Sequence, residues 1–155
     1  MNISYFPPFD VLKNGLAESA DQRTVTMSRE MFDILIAAAV QGTIFDPEWY
    51  RTEYPDVLEA IETGAVEDPL DHYARYGYAE GRMPGYFEID EAWYMDMYQY
   101  IAESAAKGEI ESAEKFYNEA GYLAGQAMDD ASEAQGERWR EIIARSAEVV
   151  GGASD

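Results

Sequence analysis

The chain repeats itself at a spacing of 44 residues. Trp49-Tyr50 recurs as Trp93-Tyr94. Asp46, Tyr54, Gly64, Tyr73, Gly77, Tyr78 and Gly81 recur, 44 positions on and without a gap, as Asp90, Tyr98, Gly108, Tyr117, Gly121, Tyr122 and Gly125. Matches concentrated on Trp, Tyr and Gly are hard to obtain by chance, so the sequence reads as a tandem duplication with copies at 45–84 and 89–128. Each copy divides into short helical pieces. Asp46-Pro47 and Asp68-Pro69 place a capping carboxylate just before a proline at the first helical position, where a missing N–H costs nothing. Pro55 interrupts the chain after Tyr54. Gly64 and Gly77 read as helix stops. Copy two keeps its stops at Gly108 and Gly121 and puts Ser112 in a capping place. Gln99 replaces Pro55, which leaves its first two helices free to fuse.

The flanks follow from punctuation and period. Residues 1–25 carry Pro7-Pro8 and Asn14-Gly15 with no sustained helical period, and read as an irregular arm. A helix over 29–41, capped by Ser28, is apolar around almost its whole circumference, which predicts burial on several sides or an oligomer seam. A last helix over 130–149 spaces Trp139, Ile142, Ile143 and Val150 at helical intervals, and 151–155 reads as a loose tail. The expectation is one all-α domain over 26–150, a tandem repeat of short helices between an N-terminal and a C-terminal helix.

Copy one, FDPEWYRTEYPDVLEAIETGAVEDPLDHYARYGYAEGRMP, resembles a bacterial repeat. Its pattern is FD-x-x-WY-x-x-x-YPDV, then a Gly, then DPL-x-HY-x-x-x-G-x-x-EGR-x-P. The repeat is found in glycosyltransferases and surface-polysaccharide proteins, and in some large secreted bacterial proteins. Copy two, DEAWYMDMYQYIAESAAKGEIESAEKFYNEAGYLAGQAM, lacks the Pro-Asp, the His and the Glu-Gly-Arg. Together the copies cover about half the chain. The resemblance implies an accessory element in a polysaccharide or glycosyltransferase setting and transfers no catalytic residue.

His72, the only histidine, lies beside Asp71 and near Glu80 and Arg82, so this stretch has the residue types of an active site. The duplication argues otherwise. His72 becomes Phe116, and phenyl can replace a packing ring but not a catalytic base. Asp71 becomes Lys115, which reads as a surface position. Glu80-Gly81-Arg82 becomes Ala124-Gly125-Gln126, and Asp56 becomes Tyr100. Arg82 and Asp56 vanish together, as ion-pair partners would; the alternative is an arginine that grips an anionic ligand. Trp49 and Trp93, with Tyr50, Tyr54, Tyr73 and Tyr94, are either core anchors of each copy or platforms on which sugar rings stack.

Composition then narrows the function. The chain has 31 acidic and 11 basic residues, a net charge of −20. Such a surface repels phosphate backbones and argues against nucleic acid as a partner. With no cysteine and one histidine, thiolate metal sites and most hydrolytic triads lack parts. No apolar run approaches the ~20 residues that span a bilayer. The reading is a cytoplasmic, non-catalytic interaction or accessory subunit without metal or cofactor. Its partner is another protein, larger or basic, or a second copy met through the 29–41 helix. A carbohydrate-binding module using exposed Trp and Tyr is the alternative, and a small enzyme using His72 the third.

Overall fold

The computed structural model describes residues 5–152. The first four residues of the expected arm and the last three of the expected tail lie outside that range. Over the described residues the chain is mostly helical with little sheet. Contacts group it into two compact units, divided between Gly85 and Tyr86, where the sequence reads as one domain.

The first unit opens with more order than its breakers suggest. A short helix α1 (Phe9–Leu12) and a 3-10 turn (Lys13–Gly15) precede two two-residue strands, β1 (Ala17–Glu18) and β2 (Val25–Thr26), paired antiparallel. The turn between them is held by polar side chains. Ser19 Oγ donates to Asp21 Oδ1 at 2.6 Å and accepts from the Thr24 amide at 3.0 Å. Strands this short carry no alternation to read.

Helix α2 (Arg29–Gln41) begins where Ser28 Oγ accepts from the Met31 amide. Its apolar girdle is not buried on several sides within the single chain, which leaves the oligomer seam as the surviving alternative. Only Ala37 and Val40 are buried, while Phe32 and Ile34 stay open to solvent. Helix α3 (Pro47–Glu53) starts on Asp46, whose carboxylate accepts from the Glu48 and Trp49 amides at 3.1 and 3.0 Å. Such a cap is worth about 1 kcal/mol. Helix α4 (Asp56–Glu62) follows the Pro55 break. Helix α5 (Pro69–His72) starts on Asp68 and runs into a π-turn (Tyr73–Gly77), in which the Tyr78 amide reaches back five residues to Tyr73 O at 2.8 Å.

The π-turn ends at Gly77, as expected, but Gly77 is not left-handed and the chain coils one turn further. The left-handed residue of the turn that follows is Gly81, φ +74°. There the Arg82 amide donates to Gly77 O and the Gly81 amide to Tyr78 O, which satisfies the last carbonyls. Gly77 is required instead by closeness: a Cβ there would sit 2.1 Å from Tyr50 Oη. The core of this unit is Ala37, Val40, Tyr50, Val57, Tyr73 and Ala74.

The second unit runs α6 (Glu91–Met97), α7 (Gln99–Ala106), α8 (Ala113–Phe116), a π-turn (Tyr117–Gly121) and α9 (Asp130–Gly152). Helices α6 and α7 do not fuse although no proline separates them. Tyr98 breaks the helix at φ −112°, ψ 76°. Its ring packs on Tyr94 at 4.9 Å and its hydroxyl accepts from the Ala127 amide at 3.0 Å. Tertiary anchoring of one side chain does here what proline does after Tyr54. Helix α8, only four residues long, is capped twice: Ser112 Oγ accepts from Lys115 N, and Glu91 Oε2 accepts from Ala113 N and Glu114 N. The core is Tyr94, Ile101, Ala113 and Tyr117. Helix α9 buries no side chain and extends to Gly152, three residues past its expected end.

Candidate functional site

The sequence singles out the cluster around His72, and the fold brings most of it together. Helix α5 and its π-turn turn the imidazole inward against α3. The ring is 6% exposed, and Nδ1 lies 3.1 Å from Tyr50 Oη, itself fully buried. Burial, and then the positive charge of Arg82, hold the imidazole below its usual pKa. Burial pushes the Tyr50 phenol well above its own. At neutral pH the pair is therefore an uncharged hydrogen bond, closed to solvent.

Asp71 is a correction. It is not a surface residue but fully buried. Its Oδ2 accepts from the Glu67 amide at 2.9 Å and from Arg75 Nη1 at 3.4 Å. The same guanidinium donates to Ala65 O and to Tyr76 Oη and lies 5.0 Å from the Tyr76 ring centre. The carboxylate ties the loop before α5 to the π-turn after it. The Lys115 that stands 44 positions on from Asp71 has to be taken together with its own i,i+4 neighbour. Arg75 becomes Glu119 at the same offset, and Lys115 Nζ lies 3.9 Å from Glu119. The i,i+4 pair is kept with its signs reversed.

Arg82 forks onto Asp56, with Nη1 to Oδ1 at 2.9 Å and Nη2 to Oδ2 at 2.7 Å, and Nε donates to Glu80 at 2.7 Å. Its guanidinium carbon lies 4.9 Å from the Tyr54 ring centre. Hydrogen bonding from Arg82 is the main reason the Asp56 carboxyl is held below the usual range. With every guanidinium nitrogen engaged, Arg82 is committed to its own unit. In the second unit, Gln126 and Tyr100 stand 44 positions on and touch each other: Gln126 Nε2 donates to Tyr100 Oη. Tyr94 Oη, lacking a histidine partner, donates to Gln126 Oε1.

The aromatic platform loses most of its surface. Tyr50, Tyr73 and Tyr94 are sealed in the cores at 0–2% exposure, so they are not available to a sugar ring. Trp49 and Trp93 are half-buried against those cores, and Trp49 meets Tyr54 edge-on at 6.0 Å. Among the described residues no three His, Asp or Glu side chains are placed to hold a metal ion, and no helix is long and apolar enough to cross a membrane.

Two surfaces stay open, one on the helix that the sequence marks as a seam and one on a helix that it does not. One is an open groove of about 750 Å³ between α2 and the π-turn, lined by Phe32, Ile36, Ala74, Arg75, Tyr76 and Tyr78. The other is the apolar stripe of α9, with Trp139 65% and Ile143 61% exposed. The signal was present in both cases: each helix carries more apolar side chains than its own unit has room to cover.

The histidine gives a pH signature with a definite sign. Its folded pKa lies below the usual value of 6.5, so below pH 6.5 the unfolded chain takes up the proton first. Stability is full above that pH and falls as pH drops from 6.5 to the folded value. Because His72 is the only histidine, thermal unfolding between pH 7.5 and 5 should show a decline that His72→Phe removes. An equal decline in the variant would contradict the assignment.

Compared with family models, with characterised proteins and with solved structures, this chain matches none.

Proposed function

We propose that the chain is a non-catalytic interaction module, built from two 44-residue copies of one helical unit, that serves as an accessory subunit to a larger protein. The observation that supports it best is that the charged cluster which looks like an active site is spent on holding its own unit. His72 is sealed against Tyr50, Asp71 is buried with Arg75, and Arg82 is paired with Asp56 and Glu80. What the surface offers instead is apolar and unpartnered, the groove beside α2 and the stripe of α9.

The two-copy reading rests on equal geometry at equal offset. Tyr54 Oη accepts from Met83 N as Tyr98 Oη accepts from Ala127 N. Gly64 and Gly108 share φ +73°, and both π-turns close with the same five-residue reach. The resemblance of copy one to the repeat of glycosyltransferases and surface-polysaccharide proteins suggests where such a subunit works. The net charge of −20 favours a basic partner face.

Tagged at native level and purified from its own cells, the chain is expected to bring down one protein in fixed ratio. The yield should fall as salt rises and should be unaffected by His72→Phe. Soluble oligosaccharides should leave its tryptophan fluorescence unchanged. A turnover that His72→Phe abolishes while the variant remains folded at the assay temperature would sink the proposal.

A further inference from the structure

We infer that α9 of a second copy of this chain docks in the groove beside α2, a self-association that goes beyond the interaction-module reading and is additional to its larger partner. Both surfaces are unsatisfied in the single chain. Trp139, Ile142, Ile143 and Val150 lie at spacings that form one helical stripe, and each is 40% exposed or more. Across the groove mouth, Phe32 and Ile34 on α2, Tyr76 on the π-turn and Tyr78 just after it are exposed to a similar degree. Scattered exposed apolar residues are ordinary, but a contiguous set on each of two elements marks a contact.

The dimensions agree. From Trp139 to Val150 the stripe runs ~17 Å at 1.5 Å per residue, and α2 offers a wall of ~19 Å. Helix-in-groove docking uses anchors at this 3-4-7 spacing.

Charge supports a second copy as the occupant. Two chains of net −20 repel, so contact is least costly where the few basic residues lie. Arg29 and Arg75 line the groove beside Glu30 and Asp33, so its charges balance, and Arg138, Arg140 and Arg145 lie on α9. Arg138, next to Trp139, pairs with no carboxylate among the described residues. Glu30, on the groove wall, pairs with no cation among them. The two are complementary across the proposed contact.

The chain has no cysteine, so single introduced cysteines report the contact cleanly. Ile143→Cys and Phe32→Cys change exposed positions, and circular dichroism checks that each chain folds. Mixed at tens of micromolar with a short bismaleimide, the two should yield a mixed dimer several-fold above what either gives alone. In sedimentation the unmodified chain should exceed its 17.5 kDa monomer mass, and both Ile143→Asp and Phe32→Asp should return it to monomer. Cross-linking by Ile143→Cys alone, with Phe32→Asp inert, would mean that α9 pairs with α9 and would overturn the inference. A monomer at every concentration would overturn it too, while partner recovery from cells decides the module reading separately.

Discussion

Gly77→Ala is expected to lower the melting temperature of the first unit by more than ~10 °C, equivalent to roughly 3 kcal/mol for a unit of this size. The added Cβ would meet Tyr50 Oη at 2.1 Å and Tyr73 Cδ2 at 3.1 Å. Neither ring can retreat. Tyr50 is walled by Phe45, Tyr54 and Tyr73 at centroid distances of 5.1, 4.8 and 5.6 Å, and its hydroxyl is fixed by His72. Packed interiors transmit such an overlap rather than absorb it. Gly81→Ala should cost less, about 1–2 kcal/mol, because it meets only the left-handed backbone penalty. No atom lies within 4 Å of a Cβ at that glycine. Tyr50→Phe added to Gly77→Ala removes the atom in closest conflict, so the double variant should lose less than the sum of the two single losses. Thermal unfolding of the four chains measures both orders. Equal losses for Gly77→Ala and Gly81→Ala would contradict the close-approach role of Gly77.

The legible part of this fold is the part written locally. Asp46-Pro47, Asp68-Pro69 and Ser112 announce helix starts because a cap acts within three residues of itself. Gly64 and Gly108 announce stops because few other residues adopt their φ. What failed depends on atoms far along the chain. Tyr98 ends a helix through Ala127, 29 residues away. Gly77 is needed for Tyr50, and both glycines of the closing turn look alike until one is seen to face a ring.

The candidate site was legible in pairs rather than in single residues. Arg82 and Asp56 vanish together and prove to be in contact. Asp71, judged alone against Lys115, was placed on the surface and is buried. Taken with Arg75 and Glu119, the same substitution is a charge reversal across one pair. Charge pairs constrain both members at once, so two segments of like pattern differ at both positions together. The open faces of α2 and α9 were beyond such reasoning, because apolar periodicity states that a face seeks cover but not whether the same chain supplies it.

The central claim is that the His72–Asp56–Arg82 cluster is structural and that its counterpart is Phe116, Tyr100 and Gln126. Transplanting the second set into the first unit tests it most directly, by thermal and urea unfolding of Asp56→Tyr, His72→Phe and Arg82→Gln singly and together. His72→Phe alone strips the buried Tyr50 hydroxyl of its partner and should cost about 1–3 kcal/mol. Arg82→Gln alone leaves Asp56 without its fork and should cost about 1 kcal/mol. In the triple variant the glutamine introduced by Arg82→Gln can accept from Tyr50 and donate to the phenol introduced by Asp56→Tyr, as Gln126 does for Tyr94 and Tyr100. The account predicts a triple variant within about 1 kcal/mol of the unaltered chain, a loss well short of the sum of the single losses. A triple variant as unstable as that sum, or worse, would contradict it.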